Sequence, residues 1–129
     1  MLRSALEALT LQIRPADEVI VVDNDSRDET RDVAMSFADL LPLAYVFEPR
    51  RGVAIARNAG VRVSTGDVIA FTDDDCVPDP SWLLYLEMPL LRDPEIGMVA
   101  GEVLPFASSG NLIERFCRAD HETCEEALR

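Results

Sequence analysis

Three short apolar runs rich in β-branched residues, at 18–22, 43–47 and 68–71, recur along this chain with amphipathic stretches between them. Runs of that length bounded by turn formers signal strands, and connections of helical length carry the chain across a sheet so that successive strands run parallel. The pattern predicts an α/β domain, a mainly parallel sheet flanked by helices. A fourth run at 96–103 predicts a further strand. The run at 68–71 is expected to be buried on both faces, as the strands of parallel sheets are.

The helical stretches follow from periodicity and from their stops. Leu2, Leu6, Leu9 and Ile13 recur every three or four residues until Pro15 intervenes. A helix over 28–41 places Val33, Phe37 and Leu40 on one face. A third is expected over 53–63, ended by Thr65-Gly66. Asp79-Pro80 supplies an N-cap and a first-turn proline for a fourth, with Trp82, Leu83 and Leu86 inward and Pro89 as its kink or stop. A polar helix over 111–128 closes the chain. The pattern begins on a helix, whereas a doubly wound sheet places its first strand near the middle. The expectation is a single domain whose sheet lacks that first strand, with a gap between the strands ending at Val22 and Phe71.

Asp73-Asp74-Asp75 follows the third run directly. Ligands of open α/β sheets bind at carboxyl ends of strands. Three adjacent carboxylates repel one another unless a cation neutralises them. The triplet is therefore either a divalent-metal site or a solvated acidic loop, and the residues alone leave both open. Asp23, Asp25 and Ser26, after the first run, read from the residues alone as caps of the next helix. Arg57 is suited to a phosphate or to pairing with the triplet, and Asn58 to tying its helix to the loops. Arg50 and Arg51 read as solvated loop charges, and Glu102 as a surface acid.

Composition removes several chemistries. A formal net charge of −12 argues against nucleic acid and anionic lipid as partners, since both need a cationic surface. The sequence has no lysine, which excludes a Walker-type phosphate lysine, a Schiff base and a Ser-Lys pair. His121 is the single histidine, so a multi-histidine zinc site is excluded. Cys76, Cys117 and Cys124 form no C-x-x-C pair and suggest reduced thiols. With no secretory signal and no stretch long enough to cross a bilayer, the expected location is cytoplasmic.

Three segments in order carry a resemblance: Asp17-Glu18-Val19-Ile20-Val21-Val22-Asp23-Asn24-Asp25-Ser26-Arg27-Asp28-Glu29-Thr30, then Gly52-Val53-Ala54-Ile55-Ala56-Arg57-Asn58-Ala59-Gly60, then Gly66-Asp67-Val68-Ile69-Ala70-Phe71-Thr72-Asp73-Asp74-Asp75 with Pro78 and Trp82-Leu83 beyond. Over roughly residues 2–104 the chain resembles the nucleotide-binding half of family 2 glycosyltransferases, which have the Rossmann-like GT-A fold. The resemblance implies a metal-dependent, inverting transfer of sugar from a nucleotide-diphospho-sugar donor to an acceptor. By position Asp73 and Asp75 match the D-x-D motif that holds Mg²⁺ or Mn²⁺ on the donor diphosphate. Asp75 is the first-choice ligand. Asp74, if the chain is still extended there, points the opposite way and is assigned to the ribose. Asp23, Asn24 and Asp25 match the donor-contacting turn, and Arg57 the diphosphate. Asn24 stands where a second Asp is common, so the base preference is open.

No segment resembles the family's acceptor-side general base, so the C-terminal acceptor region is expected to be missing along with the first strand. Two other readings keep the same acids. A noncatalytic nucleotide-binding or assembly module would bind donor without transfer. A receiver-type signalling domain also gathers aspartates at strand ends, but uses a lysine that this chain lacks.

Overall fold

A computed structural model describes residues 1–104. The helix expected over 111–128, with Cys117, His121 and Cys124, lies outside the described residues. The order of elements is α1 (Leu2–Thr10), β1 (Val19–Asp23), α2 (Thr30–Met35), β2 (Leu43–Phe47), α3 (Val53–Val63) and α4 (Trp82–Arg92). The two strands pair in parallel, Val19 opposite Leu43 through Asp23 opposite Phe47. A two-stranded parallel sheet flanked by helices is an α/β arrangement consistent with a partial GT-A domain.

The core lies on one face of this sheet. Val19 and Val21 point inward with Leu6 of α1 and with Ala34, Phe37 and Leu41 at and after α2. Ile20 and Val22 face the other way, against α3. A Cβ on Gly60 would stand 3.3 Å from the Val22 side chain, so the absence of one lets α3 approach β1 closely.

Two expected strands are corrected. Residues 68–71 form no ladder, and Val68, Ile69 and Phe71 are 59%, 39% and 53% exposed. A strand exists only against a partner. Val19 N–H bonds to the Pro42 carbonyl and Glu48 N–H to the Asp23 carbonyl, so alternate residues of β1 turn their backbone groups toward β2. Those of Ile20 and Val22 point to the opposite edge, along which no strand lies among the described residues. Residues 96–103 are likewise without a ladder. β1 itself is shifted one residue from the expected run, while β2 and α3 fall as expected.

Three helices differ in extent. α1 ends at Thr10, whose hydroxyl bonds back to the Glu7 carbonyl, and Ile13 is 65% exposed rather than inward. The helix over 28–41 contracts to Thr30–Met35. Beyond it the N–H groups of Phe37, Ala38 and Leu40 bond only three residues back, and the Ser36 hydroxyl takes the Val33 carbonyl. This places Leu41 in the core at 8% exposure and leaves Leu40 outside at 67%. α4 begins at Trp82, after a turn in which Asp79 accepts the N–H groups of Ser81 and Trp82. Pro89 sits inside α4 without ending it. Tyr85, whose carbonyl loses its intrahelical donor to Pro89, is 65% exposed, so solvent can serve that carbonyl.

A buried glutamine fastens α4 to the rest. Gln12, 6% exposed, donates to the Asp79 carbonyl at 2.7 Å and accepts the Leu83 N–H at 3.0 Å, while Arg14 holds Glu87 with two bonds of 3.0 Å. No described helix is long and apolar enough to cross a membrane.

Candidate functional site

The loops at the carboxyl ends of β1 and β2 are joined into one structure. Asp23 closes β1 at 5% exposure. Its Oδ1 accepts the Ser26 N–H at 2.8 Å and its Oδ2 the Tyr45 hydroxyl at 2.5 Å. Burial raises the Asp23 carboxyl, but the Tyr45 and Ser26 donors outweigh it and hold the group below its ordinary range. Burial and the same Asp23 bond push the Tyr45 hydroxyl up to about 12. Asp23 is therefore an anion at neutral pH, each oxygen still having a lone pair to offer.

Around Asp23 lies an open cleft of about 560 Å³, lined by Asp23, Ser26, Asp28, Arg31, Tyr45 and Phe47. The Arg31 guanidinium lies 5.7 Å from the centre of the Tyr45 ring. Of these residues the sequence pointed to Asp23 and Ser26. Tyr45 and Arg31 were missed because their approach depends on strand register and on the turn into α2. The odd-numbered face of the run at 43–47 was the available signal for Tyr45.

The second loop is built on Glu48, whose side chain is 8% exposed. It accepts from the Arg50 N–H at 3.0 Å, from Arg50 Nε and Nη2 at 2.9 Å each, and pairs with Arg62 at 3.6 Å. The Arg50 side chain, with its backbone N–H next, pulls the Glu48 carboxyl down to about 2. Arg51 pairs with Asp25 at 2.9 Å. Arg50 and Arg51 are solvated as expected, with side chains 69% and 63% exposed, and in addition each holds an ion pair. Asp25 takes a left-handed φ of 61°, a conformation that Asp tolerates better than most residues. Asn24 bridges the two loops through backbone groups of Glu48, Arg50 and Gly52. The tie expected of Asn58, which is exposed, is made by Asn24.

Because the Glu48 carboxyl falls from an unfolded value near 4.5 to about 2, it adds stability above the upper value and loses it as pH drops toward the lower one. Asp23, also lowered, acts in the same direction. Denaturant melts at stepped pH are expected to show stability declining from about pH 4.5 to 2, and Glu48→Gln is expected to flatten that decline.

The acidic triplet sits in a turn. The Cys76 N–H bonds to the Asp73 carbonyl at 3.2 Å, so the chain is not extended through Asp74 and the expected alternation of side chains does not apply there. All three acids are exposed. Arg57, on α3, reaches Asp73 Oδ1 at 3.2 Å and lies 5.9 Å from the centre of the Phe71 ring. With side chains 49% and 63% exposed, this pair contributes little to stability, but it brings a guanidinium to the acids. The half-buried Cys76 thiol lies 3.7 Å from Asp75 Oδ1.

The structure thus brings Arg57 to Asp73, and Asp23 to Asn24 and Asp25; neither Arg57 nor the triplet lines the cleft around Asp23. Among the described residues no group of three or more His, Cys, Asp or Glu side chains is placed to hold a metal ion by itself. The donor set of the triplet is all carboxylate oxygen, which suits Mg²⁺ or Mn²⁺. A hard cation needs only one or two protein carboxylates when phosphate and water complete its shell. Asp73 shares its carboxylate with Arg57.

The family model for glycosyl transferase family 2 matches residues 1–115. Glycosyltransferase AglE of Haloferax volcanii is 32% identical over 121 residues, 89% of this chain and 39% of its own length. Probable glycosyltransferase YdaM of Bacillus subtilis is 31% identical over 123 residues, 90% of this chain and 29% of its own. Validoxylamine A glucosyltransferase of Streptomyces hygroscopicus subsp. jinggangensis is 41% identical over 68 residues, 51% of this chain and 16% of its own. The chain spans less than half the length of these curated relatives. No solved structure gives a significant match.

Proposed function

Since the chain belongs to glycosyl transferase family 2, we propose that it binds a nucleotide-diphospho-sugar together with Mg²⁺ or Mn²⁺, as the donor-binding part of an inverting sugar transferase. Asp75 and Asp73 hold the cation. Asp23 and Asp25 supply acceptors for the base and ribose, and Arg57 meets the diphosphate. The observation that carries this reading is the Arg57–Asp73 contact of 3.2 Å, which sets a guanidinium beside the carboxylate oxygens of the acidic loop.

When bound, the cation offsets the negative charge that grows on the leaving diphosphate as the glycosidic bond breaks. Arg57 adds to this from the protein side, because a guanidinium keeps its charge and matches phosphate oxygens with paired N–H groups. Asp23, ionised at neutral pH, accepts N–H or O–H groups of the donor. The relatives named above are glycosyltransferases by description, which supports transfer as the activity.

A thermal-shift screen of UDP, GDP, ADP and CDP, each with and without Mn²⁺, tests the proposal. Stabilisation by one diphosphate that requires the metal is the expected result. Equal shifts with and without Mn²⁺, or none with any nucleotide, would contradict it.

A further inference from the structure

Asn24 joins the two loops at the sheet end through three hydrogen bonds. Its Nδ2 donates to the Glu48 carbonyl at 3.0 Å and to the Arg50 carbonyl at 2.7 Å, and its Oδ1 accepts the Gly52 N–H at 2.7 Å. A primary amide carries two N–H donors and one oxygen, so both donors are used within the protein. The alternative amide orientation would set oxygen against two carbonyls and is excluded by repulsion. The Asn24 side chain has no N–H left for a base or a ribose.

The bond to Gly52 falls where the loop becomes a helix. Gly52 is the N-cap of α3 at φ 142°, a backbone conformation that favours glycine, and its carbonyl takes the Ala56 N–H at 2.9 Å. Arg57 is the next residue along that helix, and it reaches Asp73. A chain of contacts therefore runs from Asn24 through Gly52 and the first turn of α3 to the guanidinium.

We infer that Asn24 is a positioning residue: it fixes the start of α3 and so aims Arg57 at the acidic loop, rather than touching the nucleotide itself. The inference rests on the donor-site reading above and reassigns Asn24 within it. A residue acting through Arg57 loses its effect once Arg57 is gone, whereas a direct contact does not.

The test is a double-mutant cycle. Affinities for UDP, GDP, ADP and CDP with Mn²⁺ are measured for the wild type, Asn24→Ala, Arg57→Ala and the double variant. Asn24→Ala is expected to weaken diphosphate binding by about tenfold, to leave the ranking of the bases unchanged, and to add nothing when Arg57 is alanine. Additive losses, an altered ranking or unchanged affinity would each overturn the inference. Hydrogen exchange provides a ligand-free arm: Asn24→Ala is expected to speed exchange over residues 52–57 while leaving α1 as it was, and unchanged exchange over 52–57 overturns the clamp. If the wild type binds none of the diphosphates, the donor-site reading fails and the exchange arm alone decides the clamp. Asn24→Asp, which keeps the acceptor for Gly52 but opposes two carbonyls with a carboxylate, is expected to shift both readouts the same way and replaces an alanine variant that fails to fold.

Discussion

Asp75→Ala is expected to remove the metal-dependent part of nucleoside-diphosphate binding, lowering affinity in Mn²⁺ by at least about 100-fold and leaving metal-free affinity unchanged. Loss of an outer-shell partner of a metal costs about 10- to 100-fold, and loss of a direct ligand stands at or above that range. The effect is large because few protein carboxylates are available to the cation and Asp73 already shares its own with Arg57. Asp93→Ala, an exposed acid beyond α4, is the charge-matched control and is expected to change nothing. Calorimetric titration of each variant with and without Mn²⁺ reads both numbers. Equal losses in the two variants would mean that the acids act through general charge.

Phe37→Ala is expected to destabilise the fold by about 3–5 kcal/mol, the usual range for truncating a buried aromatic. Phe37 is 4% exposed and packs in a core with Leu6, Val19, Val21, Ala34 and Leu41. Small domains have only about 5–15 kcal/mol in total, so the variant is expected to lose a large share of its stability. A neighbouring comparison separates core packing from mere hydrophobicity. Leu41→Ala is expected to cost about 2–5 kcal/mol and Leu40→Ala within about 0.5, because one is inside and the other on the surface. Urea melts compare the midpoints. Similar losses for Leu40 and Leu41 would place α2 and the turns after it wrongly.

Those two leucines also show where periodicity stops being informative. Val33, Phe37 and Leu40 share a face only if the helix continues to residue 40, but it yields to tighter turns at Ser36, and the phase moves by one residue. Elements decided by local chemistry were legible: β2 and α3 fall within their expected limits, the latter bounded by Gly52 and Ser64. The runs at 68–71 and 96–103 have strand composition without strand structure, because ladder bonds are supplied by a neighbour and not by the run itself.

The candidate site divides in the same way. Asp23 and the triplet were visible as acids at the ends of apolar runs, and Arg57 as a cation on the helix over 53–63. The partners that set their states were not. Tyr45 meets Asp23 through the pairing of two strands, and Asn24 reaches Gly52 across 28 residues of chain. Glu48 and Arg50 lie two residues apart, yet nothing in a Glu-Pro-Arg-Arg loop marks that glutamate as the covered centre of two ion pairs.

The claim that the triplet is the metal end of a donor cleft is tested most directly by paramagnetic relaxation. In ¹H–¹⁵N spectra of the ¹⁵N-labelled protein, substoichiometric Mn²⁺ is added before and after the nucleoside diphosphate that the thermal screen selects. The predicted result is broadening centred on the amides of Asp73, Asp74, Asp75 and Cys76 that strengthens when the diphosphate is present and is lost in Asp75→Ala. Broadening centred elsewhere, or broadening at the triplet that the diphosphate does not strengthen, would contradict it.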